Sequence, residues 1–163
     1  MTKGVVDMKR EKFLWPLTAG HHEALMAAGE IRRCMEIIRN DGAMGAWAGL
    51  SEGARTFFQN SLEPHFKAEE AMVALFDRHA GADNPASQKM RSDHRALRSL
   101  FKKNSVDSLL LFAEGLEEHI RFEEEKLFPL LQSQLNNKEK QQVAALLEKK
   151  LLPALPQNTL QKK

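Results

Sequence analysis

A histidine followed by two glutamates, in the form H-x-x-x-E-E, occurs twice in this sequence. The copies are His65, Glu69 and Glu70 in the first half and His119, Glu123 and Glu124 in the second. Residues four apart lie on one face of a helix, so each histidine and its first glutamate can bind the same metal ion. Imidazole and carboxylate ligands together suit iron, manganese or zinc, and open positions on such ions can take a small ligand such as dioxygen.

A second motif, H-x-A-L, precedes each copy of the first. It occurs at His22–Leu25 and at His94–Leu97, so the order of the two motifs is the same in both halves. A duplicated helix pair would then bring four histidines and two glutamates to the centre of a bundle. A buried carboxylate costs several kcal/mol unless it is paired or binds a cation. The repeat therefore predicts a metal centre.

The remaining histidines and glutamates have a plainer interpretation. A single histidine on an apolar face is usually a hydrogen-bonded core residue, and we interpret His79 in this way because the other half has no counterpart. Glu70 and Glu124 lie about 100° around the helix from the first glutamate of each motif. They are expected to face solvent or to support a ligand histidine.

The composition predicts that helices carry these motifs. The sequence has 22 leucines and 19 alanines, which favour helix, but only 5 valines, 4 isoleucines and 4 threonines, which favour strand. Caps and breakers divide the chain into five predicted helices, at about 18–40, 51–79, 84–104, 105 or 107–135, and 136–152. Asn84 is the predicted N-cap of the third helix, and Asn136 with Glu139 resembles a capping box at the start of the fifth. The stretch Gly42–Gly49 is predicted to be a loop or weak helix. We predict a single domain over 1–163, with an antiparallel four-helix bundle at about 14–135, an extra C-terminal helix at about 137–152 and a frayed tail at 153–163. Prolines inside helices two and four, at Pro64 and Pro129, predict a kink or bulge at the first of them.

The inward stripes of helices two, three and four are apolar except at one depth, where the motif histidines and glutamates lie. Those stripes read Phe58, Leu62, His65, Glu69, Met72 and Phe76; Met90, His94, Leu97 and Phe101; and Phe112, Leu116, His119, Glu123, Leu127 and Leu130.

Charge and hydropathy exclude several classes of function. The net charge of +2 comes from 24 basic and 22 acidic residues of interspersed sign, so we predict no nucleic-acid partner. Apolar runs such as Leu109–Ala113 are far shorter than the roughly 18 residues that span a bilayer. The single cysteine, Cys34, cannot form an internal disulfide. With no apolar segment typical of a signal peptide either, we predict a cytoplasmic protein with no membrane partner.

In combination, the motifs resemble the hemerythrin-like (HHE) domain family. The similar segments lie between about 17 and 131 and are His21-His22-Glu-Ala-Leu, His65-Phe-x-x-Glu69-Glu70, Asp93-His94-Arg-Ala-Leu and His119-Ile-x-Phe-Glu123-Glu124-x-x-Leu-Phe-Pro129. The resemblance implies a four-helix bundle around two iron ions bridged by carboxylates and an oxo or hydroxo group. It implies that His65, His94 and His119 are terminal iron ligands and that Glu69 and Glu123 are the bridging carboxylates.

Helix one offers two candidate ligands. The apolar stripe Leu17, His21, Ala24, Ala28, Ile31, Met35 and Ile38 places His21 inward, whereas the H-x-A-L motif and the family pattern select His22. Because neighbouring residues point about 100° apart, only one of them can face the metals. We prefer His22 and keep both as candidates.

One departure from the oxygen-carrying hemerythrins bears on function. They have a second histidine one turn away in helix three, but here Met90 and Arg98 lie four residues to either side of His94. This departure favours reactivity or sensing over reversible oxygen carriage.

The sequence predicts a di-iron protein that binds dioxygen, nitric oxide or peroxide, in sensing, storage, or iron and redox handling. No nucleophile motif or phosphate-binding loop is present, so we predict a metal- and gas-binding protein rather than an enzyme, with di-iron oxidase or peroxidase activity as an alternative. A ferritin-like oxidase or iron store, whose sites use Glu-x-x-His, is a second candidate. A structural bundle that zinc holds together is a third. Zinc and manganese are the metals that could replace iron.

Overall fold

The computed structural model describes residues 9–42 and 44–151. Within these ranges the chain forms five helices with short 3-10 turns and no strand, which confirms the all-α prediction. None of these helices combines the length and hydropathy that a membrane crossing requires. The tail predicted at 153–163 lies outside the described residues.

The five helices are numbered in chain order. Helix α1 is Trp15–Asp41; α2 comprises Trp47–Phe57, a π segment at Phe58–Leu62, and Glu63–Ala80; α3 is Pro85–Lys103; α4 comprises Val106–Phe122, a π segment at Glu123–Leu127, and Phe128–Gln134; and α5 is Asn137–Leu151.

Helices α1 to α4 form an antiparallel bundle, and α5 packs against one end of it. Glu63 near the start of the last part of α2 pairs with Arg98 late in α3, and Asp77 late in α2 pairs with Arg91 early in α3. Such crossed pairing requires the two helices to run in opposite directions. Leu147 of α5 is buried in the apolar cluster at the end of the bundle against which α5 packs.

Three apolar clusters fill the bundle. Their fully buried members include Leu17, Met72, Phe76, Met90, Leu127, Phe128 and Leu131 at the α5 end; Leu62, Phe66, Leu97, Phe112 and Leu116 in the middle; and Met35, Ile38 and Leu109 at the far end. The polar layer predicted from the stripes lies between the first two clusters. Any charge there is surrounded by hydrocarbon.

Helix α1 begins at Trp15, three residues before the predicted start at Thr18. Pro16 occupies the first turn, where an absent N–H breaks no helical hydrogen bond. The proline therefore starts the helix instead of preceding it.

Helix α2 begins at Trp47 rather than near Ser51, so the stretch predicted as a loop or weak helix is shorter than expected. Trp47 and Leu50 pack against the buried cluster that includes Met35 and Leu109. This tertiary contact stabilises a glycine-rich segment whose own helix propensity is low.

The predicted caps of α3 and α5 are confirmed. Asn84 Oδ1 accepts hydrogen bonds from the backbone N–H groups of Ala86 and Ser87. Asn136 and Glu139 each accept a hydrogen bond from the other's backbone N–H, which is the predicted capping box.

A tight junction separates α3 from α4. Asn104 is left-handed, with φ of 49°, and ends α3. Ser105 Oγ accepts a hydrogen bond from the backbone N–H of Ser108. Of the two predicted starts of α4, the one at Ser105 is therefore confirmed.

Both prolines inside helices follow a π segment. Pro64 comes two residues after Phe58–Leu62, and Pro129 comes two residues after Glu123–Leu127. Proline lacks an N–H and its ring clashes with the carbonyl four residues back, and the wider π turn accommodates both defects. The bulge predicted at Pro64 is confirmed.

The π segment of α4 also moves the buried face. The predicted stripe continued from Leu127 to Leu130, but Leu130 is only partly buried, whereas Leu131 is fully buried. A π segment inserts an extra residue into the helix and so shifts the later positions around its axis.

Candidate metal centre

Six buried side chains from four helices meet at one level of the bundle. They are His21 of α1, His65 and Glu69 of α2, His94 of α3, and His119 and Glu123 of α4. None is more than 6% exposed, and both glutamates are 0% exposed. Both predicted H-x-x-x-E pairs therefore lie in one cluster.

The first group of donor atoms contains His21, His65 and one oxygen of each glutamate. His21 Nε2 lies 3.0 Å from Glu69 Oε1 and 2.9 Å from Glu123 Oε2. His65 Nε2 lies 2.7 Å from the same Glu69 oxygen. Two ligands held at about 2.1 Å from one metal, at right angles, are about 3 Å apart. The observed separations match such a position.

The second group contains His94, His119 and the other oxygen of each glutamate. His94 Nε2 is 3.1 Å from Glu69 Oε2, and His119 Nε2 is 3.1 Å from Glu123 Oε1. The Nε2 atoms of the two histidines lie 3.0 Å apart. Ring nitrogens that converge in this way can bind one cation between them.

The two carboxylates connect the groups. Glu69 directs Oε1 to His21 and His65 and Oε2 to His94. Glu123 directs Oε2 to His21 and Oε1 to His119. The same four helices thus form two adjacent positions that share both carboxylates.

Several of these buried donor atoms are unsatisfied. Within 9–42 and 44–151, His65 Nε2, Glu69 Oε2 and both carboxylate oxygens of Glu123 make no hydrogen bond of suitable geometry, although each lies within 3.1 Å of another donor atom of the cluster. Buried polar atoms normally have one, and leaving them unpaired costs free energy. Cations at the two positions would satisfy all four atoms, so the residues present fit a metal pair.

The structure places His21, and not the preferred candidate His22, in this cluster. His21 is 3% exposed, whereas His22 is exposed on the outer face of α1. The face of α1 is set by the buried residues Leu17 and Ala24, with which His21 shares helical spacing. The preference for His22 therefore does not hold.

The second glutamate of each repeated motif contacts a histidine on another helix. Glu124 Oε1 lies 2.8 Å from His21 Nδ1, and Glu70 Oε1 lies 2.9 Å from His94 Nδ1. A carboxylate at Nδ1 keeps the proton on that nitrogen and leaves Nε2 free to bind a metal. Of the two roles expected for these glutamates, the structure favours support of a histidine.

An arginine holds each of these supporting glutamates. Arg10 donates to Glu124 Oε2 at 2.9 Å, and Arg98 donates to Glu70 Oε1 at 2.7 Å. The sequence predicted no role for Arg10, because it lies 114 residues from its partner. Each supporting glutamate therefore connects an arginine to a histidine, although Arg10 and Arg98 do not come from matching positions of the two halves.

His119 has a supporting carboxylate as well. Asp93 Oδ2 lies 3.2 Å from His119 Nδ1 and accepts a hydrogen bond from Lys89 at 2.7 Å. We assigned Asp93 no role from the sequence, although its position directly before His94 in a motif was a usable signal.

Phenylalanine rings line the cluster. Phe128 stacks on His21 with 5.3 Å between ring centroids, and Phe66 stacks on His94 at 4.0 Å. These rings fix the imidazole planes and keep the surroundings of the donor atoms apolar.

The family model of the hemerythrin HHE cation-binding domain matches residues 15–131. The matched range contains all six side chains of the cluster. The chain belongs to this family. Neither a curated protein nor a solved structure matches it. Cation binding by a helical domain follows from the family, and the buried histidines and glutamates could hold the metal.

In this HHE domain the residues four positions before and after His94 are not histidines and make other contacts. Met90 is fully buried in the apolar cluster at the α5 end. Arg98 pairs with Glu63 and Glu70. Each metal position therefore has two histidines and two shared carboxylates among the described residues.

Protons balance charge in the metal-free HHE centre. Burial alone would lower the pKa of His119, but Glu123 and Asp93 raise it to about 10. Burial likewise opposes protonation of His21, but the surrounding carboxylates raise its pKa well above the ordinary value. Burial would raise the pKa of Glu69, yet the neighbouring imidazoles lower it well below its ordinary range.

Metal binding to this HHE domain at pH 7 is expected to release at least about one proton per chain, because a protonated imidazole cannot bind a metal. The pKa of His119 is raised to about 10, so this ring carries a proton that the metal must displace, and the pKa of His21 is raised in the same direction. Apparent metal affinity should therefore rise with pH. Isothermal titration calorimetry in two buffers of different ionisation enthalpy measures the released protons, and a value near zero would contradict this charge balance.

His79 of the HHE domain lies apart from the centre, as predicted, but it is exposed and is not the core residue that we expected. Its Nδ1 is 3.1 Å from Glu139 Oε1 of α5, and its side chain is 51% exposed. We expect His79→Ala to leave metal content unchanged and to lower the free energy of unfolding by less than about 1 kcal/mol. Metal analysis and thermal unfolding check both, and clear loss of metal would mean that the ligand set is wrong.

Proposed function

We propose that this protein holds two iron ions, bridged by Glu69, Glu123 and an oxo or hydroxo group, and binds dioxygen or a related small oxidant or gas. Nitric oxide and peroxide belong to the same class of ligand. The main support is that each carboxylate presents one oxygen to each of two histidine pairs. A site for one metal would not need this double use of both carboxylates.

In this proposal His21 and His65 bind one iron, and His94 and His119 bind the other. Glu69 would ligate both ions through its two oxygens, and Glu123 would do the same. The iron pair would supply redox chemistry and a position that a small ligand can occupy. The protein's own contribution is to hold the imidazoles in place.

The surroundings of the centre support a small ligand over an organic substrate. The six side chains are almost completely buried, and Phe66 and Phe128 stack on two of the imidazoles. Such a closed, apolar site excludes bulky molecules and limits access of water.

With four protein donors for each ion, coordination positions remain for a small ligand. This open coordination favours sensing, storage, or iron and redox handling over reversible carriage. Oxidase or peroxidase activity is the enzymatic alternative. Cytoplasmic location stays a prediction from the sequence.

Anaerobic purification, metal analysis and optical spectra test the proposed function. We expect about two irons per chain, and new near-ultraviolet and visible absorption after air or nitric oxide is added to the reduced protein. Zinc-loaded protein is the matched control and should stay colourless.

Two results would contradict the proposal. Colourless, redox-inert zinc in protein purified from iron-supplemented cells would point to a structural bundle. Continuous oxidation and accumulation of many irons per chain would point to a ferritin-like store.

A further inference from the structure

The support of the four histidines is unequal. The Nδ1 atoms of His21, His94 and His119 each contact a carboxylate. His65 is the exception, since the one carboxylate contact of its ring among the described residues is that of Nε2 with Glu69. Both histidines of the position formed by His94 and His119 therefore have a supporting carboxylate. The position formed by His21 and His65 has only one such carboxylate.

Gly20 packs against the Nδ1 side of the His65 ring. A Cβ atom at Gly20 would be 2.6 Å from His65 Nδ1 and 2.8 Å from its Cε1. Gly20 directly precedes His21, as Asp93 directly precedes His94. The two halves of the molecule therefore place a glycine and an aspartate at matching positions, and only the aspartate can support a histidine.

The edge of the bundle beside His65 is also open to small species. A cavity of about 20 Å³ is lined there by Gly20, Glu23, Ser61 and His65, and about this volume holds one water molecule. Glu23 contacts Ser61 at 3.4 Å instead of the imidazole ring.

We propose that the two metal positions have different affinities, and that the position of His21 and His65 binds its ion more weakly and exchanges it more readily. Loss of a carboxylate behind a ligand histidine weakens metal binding about 10- to 100-fold. Gly20 is a positioning residue in this proposal. Because glycine has no side chain, the backbone of α1 can pack directly against the His65 ring and fix its orientation. The inference rests on the proposed dinuclear centre.

Anaerobic titration of the metal-free protein with Mn²⁺ tests the inference, with His65→Ala and His119→Ala as a matched pair. The wild-type protein should bind its first ion at least about 10-fold more tightly than its second. His65→Ala should keep the affinity for the first ion, and His119→Ala should weaken it by about 10-fold or more. Equal effects of the two variants would overturn the inference.

The role of Gly20 is tested by Gly20→Ala, with Gly29→Ala on the same helix as the control. A Cβ at Gly29 meets nothing within 4 Å. Gly20→Ala should retain about one Mn²⁺ per chain, and Gly29→Ala should bind like the wild type. Full binding by Gly20→Ala, with circular dichroism showing a folded protein, would overturn the role of Gly20.

A third variant tests the inference without adding bulk. Asp93→Asn removes the negative charge at His119 Nδ1. It should lower the affinity for the first ion about 10-fold, so that the affinities for the two ions become similar. An unchanged first affinity would overturn the inference even if Gly20→Ala fails to fold.

The same titration separates this inference from the proposed function. Two ions bound with equal affinity would refute only the unequal positions. Failure of the wild-type protein to bind any transition metal would refute the dinuclear centre together with this inference.

Discussion

Glu69→Ala is expected to lower bound iron from about two ions per chain to well below one. The two oxygens of Glu69 face different histidine pairs, at 2.7 and 3.1 Å from His65 and His94. One substitution therefore removes a ligand from both positions. Glu123→Ala should have the same effect, and metal analysis after anaerobic loading and desalting measures both.

Glu125→Ala is the matched control for these variants. Glu125 lies in the same π segment as Glu123 but is exposed, so its removal should leave the iron content at the wild-type value. Retention of both irons by Glu69→Ala and by Glu123→Ala would refute the assignment of the bridging carboxylates.

His21→Ala is expected to lower bound iron to about one ion per chain, while His22→Ala leaves it unchanged. His21 Nε2 lies within 3.0 Å of a carboxylate oxygen of Glu69 and of Glu123, whereas His22 is exposed. The two variants make the same chemical change at adjacent positions of one helix, so effects on helix propensity are closely matched.

Iron content and the spectrum of the oxidised protein measure the difference between the two variants. Loss of iron in His22→Ala with retention in His21→Ala would restore the ligand selected by the short motif. It would also mean that α1 turns the face with His22, and not the face with His21, toward the bundle interior.

Residues four apart on one helix were the most predictable part of the centre. The spacing from His65 to Glu69 and from His119 to Glu123 is set by local helix geometry alone. Buried charge then required a counter-ion, and the repeat showed which helices had to meet. The four-helix bundle was predictable as well, because the apolar stripes left only one possible inward face on each helix.

The choice between His21 and His22 on α1 shows where motif matching gave the wrong residue. Alignment on H-x-A-L selected His22, but burial of a side chain depends on the face of the helix, and Leu17 and Ala24 place His21 inward. The hydrophobic stripe was therefore the better guide, because it reflects the packing that turns a side chain toward the bundle interior.

Contacts between distant segments could not be predicted. Arg10 reaches Glu124 from a segment before α1, and no local pattern links the two. The packing of Gly20 on His65 likewise depends on how closely α1 and α2 approach. The shift from Leu130 to Leu131 depends on a π segment that the sequence alone did not reveal.

Anomalous diffraction at the iron absorption edge, from crystals of the iron-loaded protein, tests the dinuclear centre most directly. We expect two peaks, one at the Nε2 atoms of His21 and His65 and one at those of His94 and His119, with Glu69 between them. A single peak, or peaks away from these imidazoles, would contradict it.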